Sequence, residues 1–225
     1  MLIMVNMSKK VRLDILQAML PHVVFDGWTQ KSLRASIKSI NLPKGSEELY
    51  FPEGALEVIR FWHEQINEFI ESNIEALNKP EMKIREKVTF GVLSVLEAIG
   101  PHEEAMRRAV NRLSLPDAAV QGPSYLWSFA DSIWRAIGDK STDYNYYTKR
   151  TILAGVLGST ITVWIGDSDQ NKEKTKLFLD ARISNVMSFE KSKFKVIEKL
   201  KTIPNFAEVL GRMRYGNKKN RPRRY

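Results

Sequence analysis

Residues 138–167 read GDKSTDYNYYTKRTILAGVLGSTITVWIGD, and this stretch decides the fold class. It opens as a turn, Gly138 to Thr142. Thr142 is a good helix N-cap, and Asp143 after it complements the helix dipole. Tyr144, Tyr146 and Tyr147 follow. After Lys149 and Arg150 come 16 residues without a charge, Thr151 to Gly166. As a helix they span roughly 24 Å, short of the ~30 Å of a bilayer core. Gly155, Gly158, Ser159, Thr160 and Thr162 also make the segment too polar to cross a membrane. It reads as a helix buried on nearly all sides, with small residues that let another helix approach closely.

The same helical grammar runs outward in both directions. Glycine and proline separate periodic segments, and no stretch alternates as a strand would. The spacing predicts helices over 9–20, stopped by Pro21 and Asp26-Gly27, and over 29–40, followed by a turn at Asn41 to Gly45. A short helix is expected from Ser46 to Phe51. A long one starts at Pro52 and ends near Leu77, with Leu56, Ile59, Trp62 or His63, Ile66, Phe69, Ile70 and Ile74 inward. Further helices follow over 82–99, 102–113, 123–137, 143–165 and 171–200. Pro204 opens a last one to about Tyr215. The chain is expected to be all-α, divided into a helix-turn-helix-like head (1–52), a helical body (53–201) and an amphipathic end with a basic tail (202–225). Three short helices leading into a long one is the order of such a head.

Composition narrows the function. The chain has 225 residues, 43% apolar and 10% aromatic, enough for a real core. It has no cysteine, which removes disulfides and thiol chemistry. Met1 to Met7 is too short for a signal peptide and lacks the Arg and Ser of a transit sequence, so the expected location is cytoplasmic. The net charge of +9 is lopsided. Residues 191–225 hold twelve Lys and Arg against two Glu, whereas the other 190 residues hold 23 basic and 24 acidic groups. An anionic partner should therefore meet the tail.

The head carries the wrong charge for a DNA reader. Asn41 to Glu57 has Lys44 against Glu47, Glu48, Glu53 and Glu57, whereas phosphate contacts dominate DNA affinity. No nucleic acid partner is expected. Catalytic motifs are missing too. His22, His63 and His102 are the three histidines. His63-Glu64 lacks the second His of a zincin helix, no Glu-x-x-His occurs, and the glycines make no phosphate loop. No catalytic residue, metal site or cofactor is assigned, and the chain is expected not to be an enzyme.

Two readings stay open for Tyr125 to Trp134. Leu126, Phe129, Ile133 and Trp134 share a helical face, as a core requires. Alternatively, part of the segment lines an apolar cavity between helices. The tyrosines 144, 146 and 147 cannot share one face at 100° per residue, so at least one points outward as an interface anchor. At the C-terminus, Phe206, Val209, Leu210 and Met213 form one stripe, flanked by Arg212 and Arg214 and followed by Lys218, Lys219, Arg221, Arg223 and Arg224. An apolar stripe beside cations suits an in-plane anchor on an anionic membrane surface.

Several blocks carry a resemblance. GDKSTDYNYYTKR with WIGDSD, LPHVVFDGWTQKSLRAS (20–36), ALEVIRFWHEQ (55–65), and Phe178 to Ile183 with Phe189 to Lys191 are similar to the coenzyme Q biosynthesis accessory family, the ninth Coq protein family. The likeness covers about residues 10–215. It implies a TetR-regulator-like bundle with a vestigial DNA-reading head. It implies a homodimer through 143–165 and 171–200. It implies a non-enzymatic role in ubiquinone biosynthesis, in which a bound isoprenoid quinone precursor or phospholipid is presented to the demethoxyubiquinone hydroxylase at the inner membrane. The hydroxylase, absent from this chain, would perform the chemistry. The resemblance favours a lipid cavity, with Trp127, Phe129, Trp134 and Trp164 as its candidate lining. It assigns Ile133, Tyr144, Tyr146 and Tyr147 to the hydroxylase contact; the family motif there is usually Asn-Trp-Tyr, and here Tyr146 takes the tryptophan's place. It also supports the C-terminal membrane anchor. A TetR-type ligand-responsive transcription regulator is the alternative, and the acidic 41–57 segment argues against it.

Overall fold

The computed structural model describes residues 2–77 and 79–186. The expected helix beyond 186, the stripe Phe206, Val209, Leu210 and Met213, and the basic tail lie outside the described residues. The chain divides into two compact units, 1–181 and 182–225. The first unit carries the helical body.

Among the described residues the structure is all-helical. The order is α1 (Leu2–Asp26), α2 (Gln30–Ser39), α3 (Ser46–Tyr50), α4 (Ala55–Leu77), α5 (Ile84–Ile99), a 3-10 turn (Gly100–His102), α6 (Glu103–Leu113), α7 (Gln121–Ala136) and α8 (Tyr144–Gly166). Residues 173–186 are again helical. α1 packs along α2 and touches α3 and α6; α4 packs on α5 and α7, and α7 on α8.

Three sequence expectations need correction. Pro21 does not stop α1, which runs through it. Proline inside a helix costs about 3 kcal/mol. Pro21 is itself exposed, while Ile15, Leu16, Met19, Leu20 and Val23 around it are buried. At roughly 1.5–3 kcal/mol for each such side chain, their packing outweighs the lost hydrogen bond. α1 ends at Gly27, whose φ of +70° turns the chain while its N–H bonds to Val23 O. Next, Pro52 does not open α4. Pro52 to Gly54 form a turn, and Gly54 adopts φ +73° before Ala55 begins the helix.

The third correction concerns α8. Asp143, not Thr142, is its N-cap; the carboxylate accepts from Asn145 N–H at 3.0 Å. The helix is also not buried on nearly all sides. Thr151, Gly155, Thr162 and Gly166 are exposed along one stripe, opposite buried Leu153, Val156, Leu157, Thr160, Ile161 and Trp164. The polar groups on the stripe do not need a partner. Ser159 Oγ donates to Gly155 O and Thr162 Oγ1 to Gly158 O, both at 2.8 Å.

The core centres on α4, α5 and α7. Trp28 stacks on Trp62 at 5.4 Å and its indole N–H donates to Ala105 O at 2.9 Å, tying the turn between α1 and α2 to α4 and α6. Gly91 of α5 lets Ile133 of α7 approach so closely that a Cβ at 91 would lie 2.7 Å from an Ile133 methyl. Between α1 and α4, the Arg12 guanidinium sits 4.6 Å from both the Phe51 and Phe61 rings and donates to Glu57 at 3.0 Å. Arg34 pairs with the buried Glu47 of α3.

Candidate ligand cavity and tyrosine surface

Four helices leave a cavity of about 470 Å³ between them. α4 contributes Ile59, Trp62, His63 and Ile66, and α6 contributes Met106, Ala109, Val110 and Leu113. α7 adds Gly122, Pro123, Tyr125, Leu126 and Phe129, and α8 adds Gly158, Ile161 and Thr162; Ser114 and Ala119 complete the wall from the connecting loop. The size lies within the ~300–1,000 Å³ range of small-molecule sites. Small residues create the space. Gly158 is one: a Cβ there would stand 3.0 Å from Leu126 Cδ1.

The chemistry of this wall follows from where its polar atoms point. Ser114 Oγ donates to Val110 O, Thr162 Oγ1 to Gly158 O, and Tyr125 OH to Gln121 Oε1. His63 Nε2 bonds to Tyr125 O at 3.2 Å, with its ring stacked 4.4 Å from Tyr125 and 4.5 Å from Phe129. Burial pushes the His63 pKa down to about 4, only partly opposed by the Tyr125 carbonyl. The ring is therefore neutral at pH 7. The side chains of Ser114, Tyr125, Thr162 and His63 are already committed to the protein, so the interior offers a largely apolar surface, the Trp62 indole and one neutral imidazole. Among the described residues no group of three or more His, Asp or Glu side chains is placed to hold a metal ion.

The opposite side of α7 faces the start of α8 and carries a different arrangement. Arg150, 1% exposed, donates from Nε to Asp131 Oδ1 at 2.6 Å and from Nη1 to Asp139 Oδ2 and Tyr146 O at 3.2 Å each. Its guanidinium lies 3.5 Å over the Tyr146 ring, and Tyr146 OH reaches Asp131 at 3.3 Å. Lys149 Nζ donates to Asp139 at 2.7 Å and to Ser141 at 2.8 Å. Burial alone would raise the Asp139 carboxyl; the bonds from Lys149, Ser141 and Arg150 overcome it and hold the group below its ordinary value. Trp127, Tyr146 and Tyr147 make an aromatic cluster above this knot, with the two tyrosine rings 5.1 Å apart and nearly perpendicular. Tyr144 and Tyr147 are 72% and 62% exposed; Tyr146 is half-buried.

Residues 119–190 match the COQ9 family profile. Over this region the chain is similar to the COQ9 family. The matched region holds α7, α8, the ion-pair knot and half of the cavity wall. Curated relatives extend the likeness. The chain is 31% identical over 181 residues to "Ubiquinone biosynthesis protein COQ9, mitochondrial" of Bos taurus, covering 77% of this chain and 56% of that one. The proteins of the same name from Rattus norvegicus and Homo sapiens are 29% and 28% identical over 187 and 180 residues, covering 80% and 77% of this chain. The chain spans 60% and 57% of their lengths.

The residues singled out from sequence divide sharply. Of Trp127, Phe129, Trp134 and Trp164, the cavity is lined by Phe129 alone. Trp127 packs on Tyr146 and Tyr147 instead. Trp134 donates its indole N–H to Lys149 O and lies under the Lys149 ammonium, and Trp164 is buried beneath Lys172. At i and i+2 on a helix, Trp127 and Phe129 diverge by roughly 200°, so one lipid wall cannot hold both. Ile133 cannot meet a partner, because it is fully buried against Gly91. The α4 wall is visible in the sequence as an apolar stripe, but its use as a lining is not. Sequence reasoning misses the knot of Asp131, Asp139 and Arg150. Its signal is an acid inside the aromatic run of α7 facing an arginine at the edge of an uncharged helix.

Proposed function

We propose that this COQ9-like chain serves ubiquinone biosynthesis without performing chemistry, holding an isoprenoid quinone precursor or a phospholipid in the cavity between α4, α6, α7 and α8. The observation that carries the reading is a largely apolar wall in which the side chains of His63, Ser114, Tyr125 and Thr162 are hydrogen-bonded within the protein. Such a wall recognises hydrocarbon and supplies no free acid or base. The relatives' names, ubiquinone biosynthesis proteins, support the pathway. The exposed Tyr144, together with the exposed Tyr147 seated on Tyr146 and Trp127, forms the docking surface for the demethoxyubiquinone hydroxylase. The C-terminal stripe and cations bring the protein to the membrane surface; among the described residues no helix is long and apolar enough to cross it. The protein works as a homodimer, as the family resemblance implies.

Native mass spectrometry with lipid extraction of the purified full chain tests the reading. The expected result is a dimer carrying isoprenoid or phospholipid, with Gly158→Leu emptying the cavity while the helical signal is retained. A protein that carries no lipid, or a Gly158→Leu variant that carries as much as the wild type, refutes the cavity assignment. Duplex DNA bound specifically at 150 mM salt would restore the regulator reading. The pairing of Arg12 with Glu57 and of Arg34 with Glu47 opposes that outcome, because it neutralises head cations that would meet phosphate.

A further inference from the structure

Arg150 is a costly residue to bury. A desolvated ion pair seldom stabilises a fold more than a well-packed apolar substitute would, yet this guanidinium is 1% exposed. Its contacts converge on one ring. The guanidinium covers the face of Tyr146, one of its nitrogens holds Tyr146 O, and Asp131 accepts both from Arg150 Nε and from the Tyr146 hydroxyl. Tyr146 is thus fixed at its face, its backbone and its tip. Tyr147 stands edge-on against that fixed ring at 5.1 Å, and Trp127 supports both. Asp139 closes the arrangement from the far side, holding the guanidinium at 3.2 Å while it also receives Lys149.

Lysine could not do this. A planar guanidinium stacks on an aromatic face while its edge binds two carboxylates, whereas an ammonium is a point charge that does one of these at a time. Ordering an exposed aromatic before a partner arrives lowers the entropic cost of binding.

We infer that Arg150 is the positioning residue of the tyrosine surface: clamped between Asp131 and Asp139 and stacked on Tyr146, it holds Tyr146 and Tyr147 in the pose that a protein partner binds. This rests on the reading of that surface as the hydroxylase docking site. Tyr146 is then the bed rather than the anchor, and Tyr144 and Tyr147 make the contact.

The test uses the full chain, the hydroxylase of the same organism, and a ring fluorine on Tyr147 read by 19F NMR. Four forms are compared with the wild type: Tyr147→Ala, Arg150→Lys, Arg150→Met, and the pair Arg150→Met with Asp131→Leu. Tyr147→Ala should weaken binding about tenfold or more at unchanged melting temperature. Arg150→Lys should weaken it comparably and shift or broaden the fluorine signal in the free protein. The double variant, which removes Arg150 and Asp131 together and leaves Asp139 paired with Lys149, should regain melting temperature lost by Arg150→Met without regaining affinity. A role confined to stability would restore both together, and that result overturns the inference. So does an Arg150→Lys variant that keeps wild-type affinity and fluorine signal while Tyr147→Ala fails to bind; the docking reading then survives. If Tyr147→Ala binds as the wild type does, the docking surface is refuted and the inference with it.

Discussion

The cavity and the tyrosine knot occupy opposite sides of α7, and they are stabilised in opposite ways. Tyr125, Leu126 and Phe129 face the cavity; Trp127, Asp131 and Trp134 face the knot. On the first side polar groups are turned away or kept neutral, as His63 is, and apolar surface is left open. On the second, a buried cation is surrounded by carboxylates and capped by aromatic rings. An apolar wall can lose a contact and relax. A buried charge that loses its partner has no comparable refuge.

Breaking the knot should therefore cost most. Arg150→Met leaves Asp131 and Asp139 facing an apolar chain and should destabilise the fold by about 3–5 kcal/mol in urea unfolding. Lys149 and Arg135, which still pair with those acids, set the result at the lower end. A loss under about 1 kcal/mol would erase the contrast between the two sides.

Acid should attack the cavity side first. The folded pKa of His63 is pushed down to about 4 from 6.5. The unfolded chain then takes up a proton that the folded chain refuses. The His63 contribution is complete above pH 6.5 and is lost progressively as pH falls towards 4, by about 3 kcal/mol in all. Asp139 acts in a lower window. Its depressed folded pKa makes its contribution present above about pH 3.9 and lost as pH falls through the folded value. Unfolding measured at pH 7, 5.5 and 4.5 should show a slope that His63→Phe reduces and Asp139→Asn leaves in place; burial lowers the His102 pKa as well, so part of the slope persists.

Smaller effects sharpen the contrast. Gly158→Ala gains up to about 1 kcal/mol of helix propensity and pushes the flexible end of Leu126 aside, so stability should change by less than about 1 kcal/mol while bound lipid decreases. Tyr147→Ala, at an exposed position, should change stability by less than about 0.5 kcal/mol and be felt only when a partner is added. A large loss of melting temperature would instead place Tyr147 in the core.

Much of the fold is legible in the chain. Helix existence follows from periodicity and from glycine and proline, and most boundaries fall within a few residues. The failures share a cause. Local rules make Pro21 a breaker because they do not weigh the buried residues around it. They make the tryptophans a lining because composition names apolar bulk but not the angle at which it leaves a helix. Phe129 lines the cavity and Trp127 does not, although two positions separate them. The knot leaves only a faint signal in the sequence because Asp131, Asp139 and Arg150 come together only when α7 and α8 pack on one another. The COQ9 match over 119–190 includes all three residues of that knot.

The contact between Gly91 and Ile133 has a mechanical meaning. It fixes the roll of α7 about its own axis, as a key fixes a shaft. Because the cavity side and the knot side of α7 are about half a turn apart, any roll that opens one must shear the other. A methyl added at position 91 would be transmitted to both at once, and only a smaller residue at 133 could return the shaft to its phase. The two positions should therefore vary together or not at all.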